Sequence, residues 1–157
     1  MKYLLCIMSM LLAVSLSKGQ QAATPTTGDI ASIVKSRKYE FVAESANPMR
    51  GRTIFLSPGY SFVVRPDSLL SHLPYYGRAY QATFDPSSAG IKFTSTDFEY
   101  TEKPRKKGGW DIQIRPKDVQ QSQLYLSIHD NGRASLRVIS IDRQTISFQG
   151  FIRQVTN

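Results

Sequence analysis

Hydrophobic and polar residues alternate with a period of two in short segments between residues 39 and 152. Successive side chains of a β-strand point to opposite faces of the sheet. This period therefore predicts strands that pack one face on a core and expose the other. The predicted strands cover residues 39–44, 53–56, 60–65, 91–94, 97–101, 110–115, 124–129, 134–138 and 146–152, with one more around Phe84.

Turn-forming residues separate these segments. Asn47-Pro48, Pro58-Gly59 and Asp142-Arg143-Gln144 favour turns, and Asp130-Asn131-Gly132 is a strong hairpin signal. Short strands with turns between them predict a mainly β fold: a single antiparallel barrel, half-barrel or sandwich of about eight strands. The alternation does not distinguish these forms. Ahead of the strands, Ile30, Ile33 and Val34 recur at helical spacing and predict one short helix, Gly28–Ser36, capped by Thr27.

The N-terminus has the three-part pattern of a secretory signal peptide. Lys2 is basic, Tyr3–Leu16 is almost wholly apolar or small, and Ser17-Lys18-Gly19 places small residues where a signal peptidase cleaves. The apolar run is shorter than a membrane span, which needs about 20 residues. We therefore predict a signal peptide over residues 1–19, a flexible leader over 20–27 and one domain over 28–157. The mature chain would have no transmembrane segment and would reside in the periplasm or at the cell surface.

Export changes what the composition implies. The only cysteine, Cys6, lies within the predicted signal, so the mature chain would have no disulfide, thiolate metal site or cysteine nucleophile. The whole chain carries a net charge of +8, which loss of Lys2 and Lys18 lowers by two. A basic balance often indicates nucleic acid, but an exported protein meets anionic lipid, acidic glycan or acidic protein instead.

The segment Ser68–Tyr80, with the sequence SLLSHLPYYGRAY, interrupts the period of two. Leu69, Leu70 and Leu73 fit one turn of helix that Pro74 would end. The candidate ligand-binding residues of the chain lie in this segment. They are candidates because arginine stacks on aromatic rings and offers a fork of donors to carboxylates and phosphates. They are His72, Tyr75, Tyr76, Arg78 and Tyr80. In the alternative interpretation these side chains close one end of the barrel, and Arg78 bonds loop carbonyl groups.

The run Leu73–Tyr80, LPYYGRAY, resembles the signature of a bacterial family, domain of unknown function 4251. Weaker similarity extends over residues 39–43, 90–93, 131–134 and 143–150, which together sample nearly all of the predicted mature chain. The resemblance implies an exported protein with this domain extent. It implies no activity and no catalytic residue, because the family has none assigned.

The sequence carries no motif for catalysis. Its two histidines, His72 and His129, do not lie in a metal-ligand spacing, and His129 is expected to face solvent at a strand end. The chain also lacks a nucleophile elbow, a phosphate-binding glycine loop and a dinucleotide fingerprint. We therefore predict a protein that is not an enzyme and has no metal site or cofactor, with a hydrolase as the least favoured alternative.

The densest charge lies in the run Lys103-Pro104-Arg105-Lys106-Lys107-Gly108-Gly109, between two predicted strands. This position predicts a hairpin tip, which we call the basic tip. Lys103, Arg105, Lys106 and Lys107 together would attract lipid phosphates or an acidic glycan at low salt. The alternative interpretation is a solvated loop that prevents edge-to-edge pairing.

These features favour a non-catalytic binding module. Its expected ligand is a small apolar or amphiphilic molecule held in the barrel mouth beside Tyr75, Tyr76, Arg78 and Tyr80. The alternative is an envelope interaction protein that contacts anionic lipid, glycan or protein through the basic tip. Nucleic acid is not expected as a partner, because the chain is predicted to leave the cytoplasm.

Overall fold

The structure is a computed structural model that describes residues 27–80, 90–119 and 122–155. The signal peptide predicted over 1–19, residues 20–26 of the leader and the strand predicted around Phe84 lie outside the described residues. The described elements are one helix and ten strands. They are α1 Thr27–Ser36, β1 Tyr39–Pro48, β2 Ile54–Phe55, β3 Ser61–Val64, β4 Leu69–Leu73, β5 Ile91–Ser95, β6 Phe98–Pro104, β7 Trp110–Pro116, β8 Gln123–Ile128, β9 Arg133–Ile139 and β10 Ile146–Gln154.

The ten described strands form one antiparallel sheet. Its order is β5-β4-β3-β1-β10-β9-β8-β7-β6, and the short β2 pairs with β1. Only Thr96 and Asp97 separate the two edge strands, β5 and β6, along the chain, so the sheet curls into a nearly closed barrel. The predicted mainly β fold is confirmed, in the barrel form rather than the sandwich.

Strand β4 shows that the helical turn predicted at Leu69, Leu70 and Leu73 is wrong. Residues 69, 71 and 73 are buried and residues 70 and 72 are exposed, which is a strict period of two. The strand pairs along its whole length with β3 and β5. The sequence concealed this period because Leu70 is an apolar residue on the outer face, directly beside the inward Leu69.

Apolar side chains fill the barrel interior. Phe41 of β1, Phe62 of β3 and Phe148 of β10 are fully buried. Helix α1 buries Ile30, Ile33 and Val34 in the same cluster, which explains why its apolar residues share one face. The side chains that a solvent-borne ligand reaches are therefore those on the outer face of the sheet and at the barrel ends.

One carboxylate forms hydrogen bonds at the gap between the edge strands β5 and β6. Asp118 accepts hydrogen bonds from the Ser95 hydroxyl and from the backbone N–H groups of Thr96 (2.9 Å) and Asp97 (3.3 Å). The backbone N–H of Lys117 donates to the carbonyl oxygen of Asp97 at 2.8 Å. The hydrogen bond from the Ser95 hydroxyl, and then those from the backbone donors, lower the pKa of the Asp118 carboxyl. The charged carboxylate therefore connects the turn between the edge strands to the segment that follows β7.

Candidate functional site

The segment that follows β4 crosses to the loop between β9 and β10. The backbone N–H of Tyr80 donates to the carbonyl oxygen of Asp142 at 2.7 Å, and the N–H of Gln144 donates to that of Arg78 at 3.1 Å. Ala79 and Arg143 form an isolated antiparallel bridge between the two segments. The LPYYGRAY run is therefore tied by backbone hydrogen bonds to residues that are distant in sequence.

Tyr75 anchors this junction. Its hydroxyl lies 2.9 Å from the carbonyl oxygen of Arg78 and 3.1 Å from that of Gln144. Partial burial raises the pKa of the Tyr75 phenol, so it remains a neutral donor to these carbonyl groups. A Cβ at Gly77 would lie 2.7 Å from the Tyr75 hydroxyl oxygen, which explains why a glycine follows the two tyrosines.

Arg143 completes the junction from the other side. Its Cζ lies 5.0 Å from the centroid of the Tyr75 ring. One guanidinium nitrogen donates to the carbonyl oxygen of Gly90 at 2.9 Å, and another lies 3.3 Å from a carboxylate oxygen of Asp142. The sequence indicated Arg143 only as part of a turn, yet this residue bonds a loop carbonyl group, whereas the Arg78 side chain bonds none of the described residues.

The other candidate residues do not converge on one point. Tyr76 is half-buried and packs against the core, whereas Arg78 and Tyr80 are exposed, Tyr80 by 66%. His72 lies on the outer face of β4, where its ring stacks on that of Tyr60 with 5.8 Å between centroids. Tyr75 therefore contacts Arg143, whereas the other residues of the predicted cluster lie apart from this contact.

We expect Arg143→Gln to lower the free energy of unfolding by about 2 kcal/mol, because charge-assisted bonds to Gly90 and Asp142 and the contact with Tyr75 are lost together. Urea unfolding followed by circular dichroism measures this loss. The matched variant is Arg78→Gln, whose exposed side chain makes no hydrogen bond to a described residue; it should change stability by less than about 0.5 kcal/mol. Equal effects of the two variants would contradict the structural role of Arg143.

The basic tip is the connection of a hairpin, as predicted. The N–H of Arg105 donates to the carbonyl oxygen of Gly109 at 3.0 Å between strands β6 and β7. Gly108 and Gly109 have φ of +86° and +85°, a conformation that favours glycine. Lys106 and Lys107 are exposed, whereas Arg105 lies 3.6 Å from a carboxylate oxygen of Asp111. The four cations therefore divide into an exposed pair at the tip and a pair nearer the sheet.

A depression of about 410 Å³ lies on the outer face of the sheet over β6–β10, and we call it the outer groove. Two rows of polar side chains, each in register across the five strands, line it. The first row is Lys103, Asp111, Ser127, Ser135 and Gln149, and the second is Thr101, Gln113, Tyr125, Arg137 and Ser147. With strands about 4.8 Å apart, each row spans roughly 19 Å.

The outer groove follows from side-chain size. Ser127 and Ser135 are neighbours in the middle of the first row, and Ser147 occupies the end of the second. Longer side chains such as Tyr125 and Arg137 stand beside these serines, so the surface is recessed where the hydroxyl groups lie. This site could not be recognised in the sequence, because each residue by itself is an ordinary polar position on a strand. The available signal was the occurrence of serines at outward positions of three consecutive strands.

Some side chains of the outer groove bond one another and others do not. The Ser127 hydroxyl donates to Asp111 at 2.7 Å, and the Tyr125 hydroxyl donates to Gln123 at 2.9 Å. The side chains of Arg137 and Ser135 make no hydrogen bond or ion pair with a described residue. The groove thus combines fixed side chains with donors that are available to a ligand.

Two features are absent from residues 27–80, 90–119 and 122–155. Within these ranges no helix has both the length and the hydropathy to cross a membrane. No three His, Cys, Asp or Glu side chains of the same ranges gather as ligands of a metal ion.

Comparison with known proteins identifies a family and a fold. The model of the family described as Domain of unknown function (DUF4251) matches residues 21–152. A crystal structure of a DUF4251 family protein from Bacteroides eggerthii is similar, with a TM-score of 0.58 and 12% sequence identity over 82% of this chain and 87% of that one. At this identity the likeness concerns the fold alone. No protein with a curated description matches the sequence.

Proposed function

This chain belongs to the Domain of unknown function (DUF4251) family, and we propose that it is an exported, non-catalytic binding protein that holds its ligand in the outer groove. The observation that carries this proposal is the pair of in-register polar rows around a recess of about 410 Å³. Ligand sites are concave, and their polar groups fix the orientation of the ligand. Unpartnered side chains within it, such as Arg137, supply donors without first breaking an internal bond to a described residue.

The proposed position of the ligand differs from the barrel mouth that was expected from the sequence. Tyr75 is occupied with the carbonyl groups of Arg78 and Gln144, and its ring is covered by Arg143. Phe41 and Phe148 are among the side chains that fill the interior. A ligand on the outer face displaces none of these contacts, so the outer groove is the better supported site.

The placement of the histidines supports a role without catalysis. His72 stacks on Tyr60, and His129 is exposed beside the β8–β9 turn. Neither forms an ion pair or hydrogen bond with a carboxylate of the described residues. A general base needs an orienting partner as well as a concave setting, and neither ring has a carboxylate partner among the described residues.

A second hollow favours an alternative ligand. It measures about 400 Å³ on the outer face of β3–β5. Val63 and Leu70 give it an apolar part, beside the polar His72 and Lys92. This composition suits a small amphiphilic molecule, which is within the ligand class expected from the sequence, and Lys92 favours one with an anionic head. We call it the β3–β5 hollow and treat it as the second candidate site.

Two filling variants test the proposal. Ser135→Trp should block the outer groove and Thr94→Trp the β3–β5 hollow, so each serves as the control for the other. The probes are cellohexaose and hexagalacturonate for the groove and dodecanoate for the hollow. Binding is followed by the backbone amide shifts of the ¹⁵N-labelled protein.

The expected result is that an oligosaccharide shifts amides of β7–β10 in the parent and in Thr94→Trp, but not in Ser135→Trp. Dodecanoate shifts confined to β3–β5 and lost in Thr94→Trp would favour the second candidate. Absence of any shift with millimolar oligosaccharide would overturn the proposed function of the outer groove.

A further inference from the structure

We propose that the ligand of the outer groove is an acidic glycan, a chain of sugars that carries carboxylates. This inference rests on the proposed function and names the chemical class that the groove selects. Its basis is the combination, within one recess, of hydroxyl groups, amides, one aromatic ring and an excess of positive charge. Each of these groups matches a different part of such a ligand.

The hydroxyl and amide groups match the hydroxyls of a sugar. Ser135 and Ser147 each offer one donor and two acceptor positions, and the carboxamide of Gln149 offers both types. A sugar hydroxyl is also donor and acceptor at once, so it pairs with either. A lining of purely apolar side chains would leave those hydroxyls unsatisfied, which costs binding affinity.

The row geometry favours an extended ligand. Each row runs across five strands, roughly at right angles to them, and the two rows lie about 7 Å apart along the strands. Between the rows, the floor of the groove is the backbone of Ile112, Leu126 and Leu136, whose side chains are buried in the core. A narrow polymer can lie along this floor and meet polar groups over the whole length of the rows, whereas a single small molecule would contact only those on neighbouring strands.

Tyr125 supplies an apolar surface within this polar lining. Its side chain stands on the outer face, where the residue is 36% exposed, and the hydrogen bond to Gln123 fixes the ring. A fixed aromatic ring offers a flat apolar face at little entropic cost. The C–H face of a pyranose ring is the complementary surface in a glycan.

The charge distinguishes an acidic glycan from a neutral one. Lys103 and Arg137 line the outer groove without a described ion-pair partner. The single acid of the lining, Asp111, is already approached by Arg105 at 3.6 Å and by the Ser127 hydroxyl. The recess therefore has unneutralised positive charge, and the planar guanidinium of Arg137 fits a carboxylate through two parallel bonds.

The shape of the recess also favours a glycan over a lipid surface as the ligand. Phosphate head groups in a bilayer form a broad plane, which the exposed Lys106 and Lys107 of the basic tip can touch. Ser127 and Ser135 lie on the sheet itself, recessed beside longer side chains such as Tyr125 and Arg137. A flexible chain reaches them more readily than a plane does, so we assign the groove to glycan and make lipid an outcome of the test.

Titration calorimetry with hexagalacturonate, cellohexaose and phosphatidylglycerol vesicles tests this inference at low and high salt. The parent should bind hexagalacturonate more tightly than cellohexaose, with a difference that shrinks at high salt. Arg137→Gln should weaken hexagalacturonate binding by about tenfold or more, because a charge-assisted bond is lost. Lys106→Gln removes the same charge at the exposed tip and should change it less than about twofold.

The outcomes separate the two proposals. Equal affinity for both hexasaccharides, unchanged in Arg137→Gln but lost in Ser135→Trp, would overturn the acidic class and leave the groove as a binding site. Vesicle binding that depends on Lys106, with no saccharide bound, would overturn both proposals in favour of a lipid contact at the basic tip. Thermal unfolding of each variant verifies that the fold is retained.

Discussion

Gly150→Ala is expected to destabilise the protein by about 4 kcal/mol, at the upper end of single-substitution effects. A Cβ at residue 150 would lie 1.8 Å from the carbonyl oxygen of Val42 and 3.2 Å from the Cα of Ala43. Both atoms belong to the backbone of β1, which pairs with β10 and cannot retreat as a flexible side chain would. The close approach occurs beside the bulge between Ala43 and Ser45, where the strands change register.

Urea unfolding of Gly150→Ala and of Gly51→Ala separates steric conflict from ordinary backbone strain. Gly51 has a φ of +114°, and a Cβ added there would meet no atom within 4 Å, so alanine at this position meets strain alone. We expect Gly51→Ala to cost about 1–2 kcal/mol. A loss of similar size in both variants would mean that β1 and β10 separate easily, contrary to the tight pairing described.

Phe148→Ala should lower the free energy of unfolding by about 3–5 kcal/mol, because it leaves a cavity in a packed interior. Phe148 is fully buried, and its register partners are Leu136 on β9 and Ala46 on β1. The matched control is Phe55→Ala, since Phe55 is 87% exposed and should contribute less than about 0.5 kcal/mol. Denaturant midpoints with unchanged slopes measure both effects. A small loss in Phe148→Ala would show that the interior is not close-packed.

Most of the fold could be predicted from the sequence, because antiparallel strands with one solvent-exposed face show a regular alternation of apolar and polar residues. In β9, buried Ala134, Leu136 and Val138 alternate with Arg133 and Arg137 on the outer face. The helix was equally visible from Ile30, Ile33 and Val34. The failure came at β4, where Leu70 is apolar although it faces outward. Pattern recognition depends on polarity, and one exposed leucine is enough to suggest the wrong period.

The candidate site was harder to predict, for two physical reasons. Tyr75 was recognised, but its partner Arg143 lies in a loop after β9, and only the folded chain brings the two together. The outer groove depends on register, which sets Ser127 beside Ser135 and Lys103 beside Asp111. The hydrophobic pattern excludes a register shift of one residue but not a shift of two, which keeps every side chain on its face. Turn geometry determines the rest. Sites made from neighbouring strands therefore escape an analysis of consecutive residues.

The position of β1 has a consequence for the order of folding. This strand lies between β3 and β10, with Tyr39 opposite both Val64 and Gln154. Its first neighbour is synthesised soon after it, but its second neighbour is the last strand described. Sheets that depend on such distant pairings fold slowly. The nascent chain therefore lacks the partner on one side of β1 until β10 has been synthesised, and this delay in folding would favour the export that we propose.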